Sequence, residues 1–327
     1  MRSWLLCGSL VACSGKDSGL DDTAPRTPTT TTTTTSDTTG EPVDPSTVPL
    51  HGRCPMATDY GGFSFDSDAL LSVVGGAVAD GVIPISIMEE VGAEGGCVLL
   101  RTNNPFCDPP CAAEETCDFD GECLPFPIEQ DLGTVTVEGL TESVEMEPSP
   151  PGYSYYALGL SHPPYAPGDL VTLRTTGGAV DPFTLYGVGL DPLDAVEGVW
   201  TIYAATDLPI TWASPSDGAR STVSVRINID QHGTTPVQLQ CDFEDTGQAT
   251  IPAALLDELI GFGVTGIPSA TFTRSTMDSV EVGGGCVDFS VAWTERPEVD
   301  VDGFTPCQSQ DDCPKGEVCN KALEICE

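Results

Sequence analysis

The 327-residue chain sets 50 Asp and Glu against 12 Lys and Arg, a net charge of −38. That charge repels nucleic-acid phosphates and anionic lipid headgroups, which excludes both as expected partners, and it favours solubility and divalent cations. Of the 14 cysteines, the twelve from Cys54 onward are an even set that reads as six disulfides in an exported chain. Residues 1–12 agree with export. One positive charge at Arg2 precedes an apolar stretch from Trp4 to Ala12, the composition of a removable secretory signal.

The run Leu10-Val11-Ala12-Cys13, followed by Ser14-Gly15, resembles the lipobox of bacterial lipoproteins. The resemblance implies cleavage before Cys13, diacylation of its thiol through glycerol, and acylation of the new N-terminus. Two or more acyl chains hold a soluble domain stably on a bilayer where one does not. No other stretch reaches eighteen apolar residues, so membrane attachment is expected through this N-terminal lipid anchor alone. Residues 13–50 then read as a disordered tether. Thr29 to Thr35 is unbroken threonine among Pro25, Pro28, Pro42, Pro45 and Pro49, with no apolar period to offset the entropy of ordering. Fully extended, the tether reaches on the order of 120 Å, and Ser/Thr-rich sequence with proline is also the composition of O-glycosylated stalks.

The folded part is expected from His51, in three sections: residues 51–130 as a disulfide-rich half-repeat with a Cys-rich module, 131–297 as a β-sandwich, and 298–327 as a C-terminal Cys-rich repeat. Two stretches run in parallel. Each begins at a cysteine (Cys54; Cys241), passes an Asp-x-Gly turn, Ala-Leu-Leu and Ile-Pro, and ends on Gly-Gly-Cys-Val at Cys97 and Cys286. Two copies of one half-domain follow from this reading, each closed by its own bridge, Cys54–Cys97 and Cys241–Cys286. Within the second copy a helix is expected with Thr250 as N-cap, Pro252 in its first turn, i,i+4 apolar pairs Leu255/Leu259 and Leu256/Ile260, and a stop at Gly261 and Gly263.

Strands carry the rest. Val223, Val225, Ile227 and Ile229 alternate with polar residues, and the same period of two recurs in Val237-Leu239-Cys241-Phe243, Val287-Phe289-Val291-Trp293 and Leu208-Ile210-Trp212. Many short strands with one apolar face each close a core by stacking antiparallel sheets, so the fold class is mainly β, an immunoglobulin-like or fibronectin-like sandwich with disulfide-stapled Cys-rich segments. An inward Cys241 bridged to another strand resembles the inter-sheet bridge of immunoglobulin domains, although Trp212 precedes both cysteines.

Two compact clusters, Cys107, Cys111, Cys117, Cys123 and Cys307, Cys313, Cys319, Cys326, hold too few apolar residues for a core unaided. Each allows three pairings. Zinc is disfavoured by the lack of a Cys-x2-Cys knuckle or a histidine. The tail cluster resembles the small Cys-rich repeats of bacterial surface lipoproteins. With the run Asn104 to Cys111, nearly the whole chain resembles a family of large exported lipoproteins of Gram-negative bacteria, built of a lipobox, Thr-rich tether, β-sandwich and Cys-rich repeats. The resemblance implies an outer-membrane, extracytoplasmic location and no particular activity.

Catalytic signals are sparse. His51, His162 and His232 lie in no nucleophile motif, and neither a Gly-x-Ser-x-Gly elbow, a His-Glu-x-x-His helix nor a phosphate loop is present, so no catalytic residue and no cofactor are assigned. Glu298-x-Asp300-x-Asp302-Gly303 begins like a calcium loop but lacks the acid at its twelfth position, Ser309, so calcium at Asp300 and Asp302 is an incomplete candidate. Tyr153, Tyr155, Tyr156 and Tyr165 are close in sequence and could stack on sugars, if exposed. A non-catalytic display protein that recognises a glycan or surface protein is the expected function; an exported hydrolase is the alternative.

Overall fold

The computed structural model describes residues 43–150, 152–193, 198–216, 220–229 and 236–327. Cys13, most of the tether and His232 lie outside them. The N-terminal half holds β1 (Asp59–Ser67), β2 (Ser72–Val78), β3 (Glu89–Glu94), β4 (Cys97–Arg101), β5 (Glu115–Cys117), β6 (Cys123–Pro125), β7 (Val135–Glu138), β8 (Val144–Met146) and β9 (Tyr155–Ala157). There follow β10 (Leu170–Thr175), β11 (Thr184–Val188), β12 (Trp200–Ile202), β13 (Leu208–Thr211), β14 (Thr222–Asn228), β15 (Val237–Glu244) and β16 (Gln248–Ile251). The helix α1 (Ala253–Gly261) leads to β17 (Ser269–Val282), β18 (Gly285–Glu295), β19 (Val299–Val301), β20 (Cys319–Asn320) and β21 (Ile325–Cys326).

Nine strands form one sheet in the order β3-β4-β15-β14-β17-β18-β1-β2-β9, antiparallel except where β1 runs parallel to β18. The period-two stretches supply its middle: Val223, Val225 and Ile227 of β14 and Val287, Phe289 and Val291 of β18 are fully buried on one face. A second sheet, β11-β10-β7-β8, packs there through β11, which lies on β17 and β18. Gly187 is required at this contact, since a Cβ would sit 2.4 Å from Val291 Cγ2. Over the other half of the same face lie α1, against β15, β4 and β3, and two small pairs, β12–β19 and β13–β16. The class is therefore the expected one, mainly β with sheet stacked on sheet.

Each half has an aromatic centre. Phe272 of β17 meets Trp200 and Trp212 edge-on at 5.6 and 5.4 Å, while Phe63 and Phe65 of β1 meet Tyr155 and Tyr165 at 5.8 and 5.6 Å. Such ring pairs contribute about 0.5–1.5 kcal/mol each beyond their buried area. Between the halves β17 turns polar side chains inward. The Thr276 hydroxyl accepts from the Val188 N–H at 2.9 Å, and Asp278 accepts from the Tyr186 N–H at 3.0 Å. β11 is an edge strand, so these side chains satisfy donors that its own ladder leaves free. Arg274, fully buried, donates twice to Asp245 at 2.6 and 3.1 Å and to the carbonyls of Asp191, Pro192 and Ala213.

Several expectations are corrected. The large bridges are Cys97–Cys241 and Cys54–Cys286, not Cys54–Cys97 and Cys241–Cys286. Register decides it: Cys97 and Cys241 stand directly opposite in the β4–β15 ladder, and Cys54 leads into β1 beside the start of β18, at Cys286. The half-repeat shares only its closing hairpin. Gly95-Gly96 and Gly283-Gly284 turn with positive φ into β4 and β18, but Ala69-Leu70-Leu71 is an exposed turn and Ala254-Leu255-Leu256 lies in α1. The repeat the fold does contain is the Cys-rich module. Both pair first to third and second to fourth cysteine, Cys107–Cys117 with Cys111–Cys123 and Cys307–Cys319 with Cys313–Cys326. In both, the last two cysteines face each other across a short hairpin, β5–β6 or β20–β21.

The section boundaries move for the same reason. β1 to β4 are strands of the nine-stranded sheet, so residues 51–101 are continuous with the sandwich, and β19, at 299–301, pairs with β12 inside it. The folded part also begins earlier than His51: Arg220 donates to the carbonyls of Pro45 and Val48, and Val48 is buried. Thr250 does not cap α1, because it lies in β16; Asp207 Oδ1 accepts from the Ala253 N–H at 2.8 Å instead.

Candidate functional site

The nine-stranded sheet is covered on one face only over its central strands. On the other face of those strands the outward positions are small and polar. Gly62, Ser64 and Asp66 of β1 stand in register with Asp288, Ser290 and Ala292 of β18, then Met277 and Ser275 of β17; Thr273 pairs with Ser224 and Thr271 with Arg226 of β14. Short side chains along the middle and longer ones at the margins make a groove of about 400 Å³, lined also by Arg53, Asp59 and Gln240. Its floor is tight: Ser275 and Ala292 are 7% and 3% exposed. Gly62 keeps the wall close, because a Cβ there would lie 2.1 Å from the Asp288 carbonyl oxygen.

Arg53 reaches this face through the chain's path. The Gly52 N–H donates to the Met277 carbonyl at 3.2 Å, on the flank of β17 that β14 no longer covers, and the His51 imidazole meets Asp278 at 2.7 Å on the inner side. Cys54, next in sequence, is pinned to Cys286. Electrostatics in the groove are strained in both signs. Burial pushes the Asp288 carboxyl up to about 6, reinforced by the Asp59 charge, while the Cys54 N–H and Arg53 pull it down. Burial and the neighbouring Arg53 guanidinium disfavour the charge of Arg226, and Asp242 partly offsets this. Neither Arg53 nor Arg226 has an ion-pair partner among the described residues, whereas Arg101, Arg174 and Arg274 hold carboxylates at 2.6 to 3.2 Å.

Other sequence candidates are not gathered here. All twelve cysteines from Cys54 to Cys326 are in disulfides, so the two clusters of converging sulfurs, Cys107/Cys111/Cys117 and Cys307/Cys313/Cys319, are not free ligands. Those are the clusters of three potential ligands among the described residues. Asp300 and Asp302 alternate with buried Val299 and Val301 because Asp300 is in β19 and Asp302 just beyond it; their spacing is that of a strand, not of a closed ion loop. The tyrosines separate as well. Tyr155 and Tyr165 are core residues, the latter's phenol pushed up to about 12 by burial, and Tyr156 alone of the four is largely exposed, on edge strand β9. His162 Nδ1 meets the Ser72 hydroxyl at 3.0 Å, and Ser72 is 2% exposed. The groove itself was invisible in the sequence; the one available signal was the run of Ser and Thr at the polar positions of β14 and β17.

No protein-family model matches the chain, and no curated protein matches its sequence. Among solved structures, it is similar to the FN1–FN3 domains of chicken CNTN1, at 8% identity and a TM-score of 0.17, covering 70% of this chain and 68% of that one. It is also similar to a Ca2+-stabilized adhesin with which an Antarctic bacterium binds ice, at 12% identity and a TM-score of 0.17, covering 78% and 79%. Among the described residues no helix is long and apolar enough to cross a membrane.

Proposed function

We propose that this protein is a non-catalytic recognition module displayed outside the cytoplasm, held on the outer membrane by acyl chains at Cys13 and lifted from it by the Thr/Pro tether. The observation that carries recognition is the open polar groove of about 400 Å³ on a sheet whose opposite face is fully packed. A binding face left uncovered on a rigid, six-times-bridged scaffold is what a display protein requires, since preorganised side chains lose little freedom on binding. Six disulfides support an oxidising compartment, and the four residues ending at Cys13 support the anchor.

Two experiments test the two parts. For the anchor, Cys13→Ser is compared with wild type in detergent phase partitioning of cell lysates; wild type enters the detergent phase and the variant does not, and equal partitioning overturns the anchor. For recognition, the full chain in lipid nanodiscs is screened on a glycan array. Retention of at least one glycan class above empty nanodiscs is expected, and retention of none overturns a glycan-binding display role.

A further inference from the structure

We infer that the groove takes an uncharged, hydroxyl-rich polysaccharide chain, held by rows of unpaired hydroxyls with carboxylate acceptors and guanidinium donors beside them. The inference rests on the recognition reading and names the chemistry of that same site.

The hydroxyls come first. Ser224 of β14, Thr271 of β17 and Ser290 of β18 are half-buried in the lining, and their side chains make no hydrogen bond to the protein among the described residues. Their neighbours are only partly used. Thr273 and Thr294 share one bond at 3.1 Å, and Ser64 donates to Asp66 at 2.6 Å, which leaves that carboxylate further lone pairs. Strand register fixes where these groups stand: Thr273 lies between Ser224 and Thr294, and Ser290 between Met277 and Ser64. Outward side chains therefore repeat at roughly 7 Å along each strand and about 5 Å from strand to strand. A hydroxyl both donates and accepts, so this grid matches a ligand with alcohols at repeated intervals, and the sheet holds it in place before the ligand arrives.

The charges come second. Three carboxylates, Asp59, Asp66 and Asp288, line the groove with two guanidiniums, Arg53 and Arg226. A polymer of either sign meets like charges there. Repeated anions meet the carboxylates and a surface of net charge −38, whereas repeated cations meet the guanidiniums here and are drawn to acidic surface everywhere else. An alcohol has neither conflict, since it donates to a carboxylate and accepts from a guanidinium.

Shape comes third. No aromatic ring lines the groove, and its floor at Ser275 and Ala292 is almost closed to solvent, so an apolar ligand has little surface to bury. The volume of about 400 Å³ falls among ligand sites of roughly 300–1,000 Å³, which suits a short run of sugar rings from a longer chain.

Isothermal titration of the full chain in nanodiscs tests this with hexamers of matched length: cellohexaose, mannohexaose and laminarihexaose, which are neutral, and the hexamers of glucuronate and of glucosamine, which are anionic and cationic. Binding is expected for at least one neutral hexamer, unchanged by a tenfold rise in NaCl, with both charged hexamers at least tenfold weaker at the higher salt. Ser224→Ala, Thr271→Val and Ser290→Ala combined remove hydroxyls that have no protein partner to lose. The triple variant is expected to weaken neutral binding tenfold or more and to leave the thermal melt unchanged. Equal or tighter binding of a charged hexamer at the higher salt, a tenfold loss of neutral binding with salt, or unaltered binding by the triple variant overturns the inference. Binding of none of the three neutral hexamers overturns it as well; the recognition reading then stands if the array retains any glycan, and both fail if it retains none.

Discussion

Removal of the Cys97–Cys241 bridge by Cys97→Ala with Cys241→Ala tests the pairing and the architecture together. The bridge closes 144 residues, for which the chain-entropy model gives about 5 kcal/mol at 25 °C. Cys54–Cys286 encloses it and leaves flanks of 43 and 45 residues, so the unfolded chain is already shortened and roughly 4 kcal/mol remains. Both cysteines are at most 1% exposed, and the voids left by the alanines add about 1 kcal/mol. The total, about 5 kcal/mol, is comparable with the whole stability of a typical domain. Guanidinium unfolding of the oxidised proteins measures it, and thiol titration under denaturing, non-reducing conditions reports pairing at once. With the bridges of the structure the double variant keeps five disulfides and exposes no thiol from Cys54 or Cys286. Two free thiols there, or a loss below 1 kcal/mol at unchanged denaturant slope, would refute the reasoning.

Three more perturbations have worked outcomes. Arg274→Met removes the counter-charge of the buried Asp245 carboxylate, which keeps only Trp212 and Ser221 as donors, and strips the donor from three backbone carbonyls, and a loss of about 3–5 kcal/mol is expected in urea unfolding; a change under 1 kcal/mol would contradict a structural role for this buried pair. Asp278→Ala strips the acceptor from the half-buried Tyr186 N–H and frees His51, and about 1–3 kcal/mol with faster amide exchange along β11 should follow, whereas unchanged exchange at Tyr186 would count against the edge-capping account. For Asp288, raised from 3.8 to about 6, the folded state holds the proton more tightly than the unfolded one. The stabilisation is therefore complete below about pH 4 and lost as pH rises through about 6, by at most roughly 3 kcal/mol and less after solvent screening of a partly exposed group. Asp288→Asn should match wild type near pH 4 and melt higher at pH 7.5; a pH-independent difference would exclude this cause.

Local pattern settled the strands. The alternation in Val223 to Ile229 and in Val287 to Trp293 needs only a period of two, so β14 and β18 and their buried faces were legible from residues a few positions apart. The apolar pairs of α1 were legible for the same reason, but its cap was not, since Asp207 lies 46 residues from Ala253. Disulfide pairing was likewise beyond reach. The similarity around Cys97 and Cys286 is real at the level of the glycine-led hairpin, yet which cysteine faces which depends on strand order, and strand order depends on which apolar faces bury together across 144 and 232 residues. The tyrosine cluster failed on the same point. Tyr155 and Tyr156 are neighbours in sequence and point to opposite faces of β9, so one entered the core and one the solvent. Arg53 and Arg226 are 173 positions apart in sequence, and only the turn of the N-terminal segment past the end of β14, beside Met277, brings both to one groove. Sequence determined by itself the strands β13, β14, β15 and β18 and the two Cys-rich modules, because each is written in neighbouring residues. Tertiary structure alone decided the pairings and the groove, because burial selects contacts between segments that carry no information about each other along the chain.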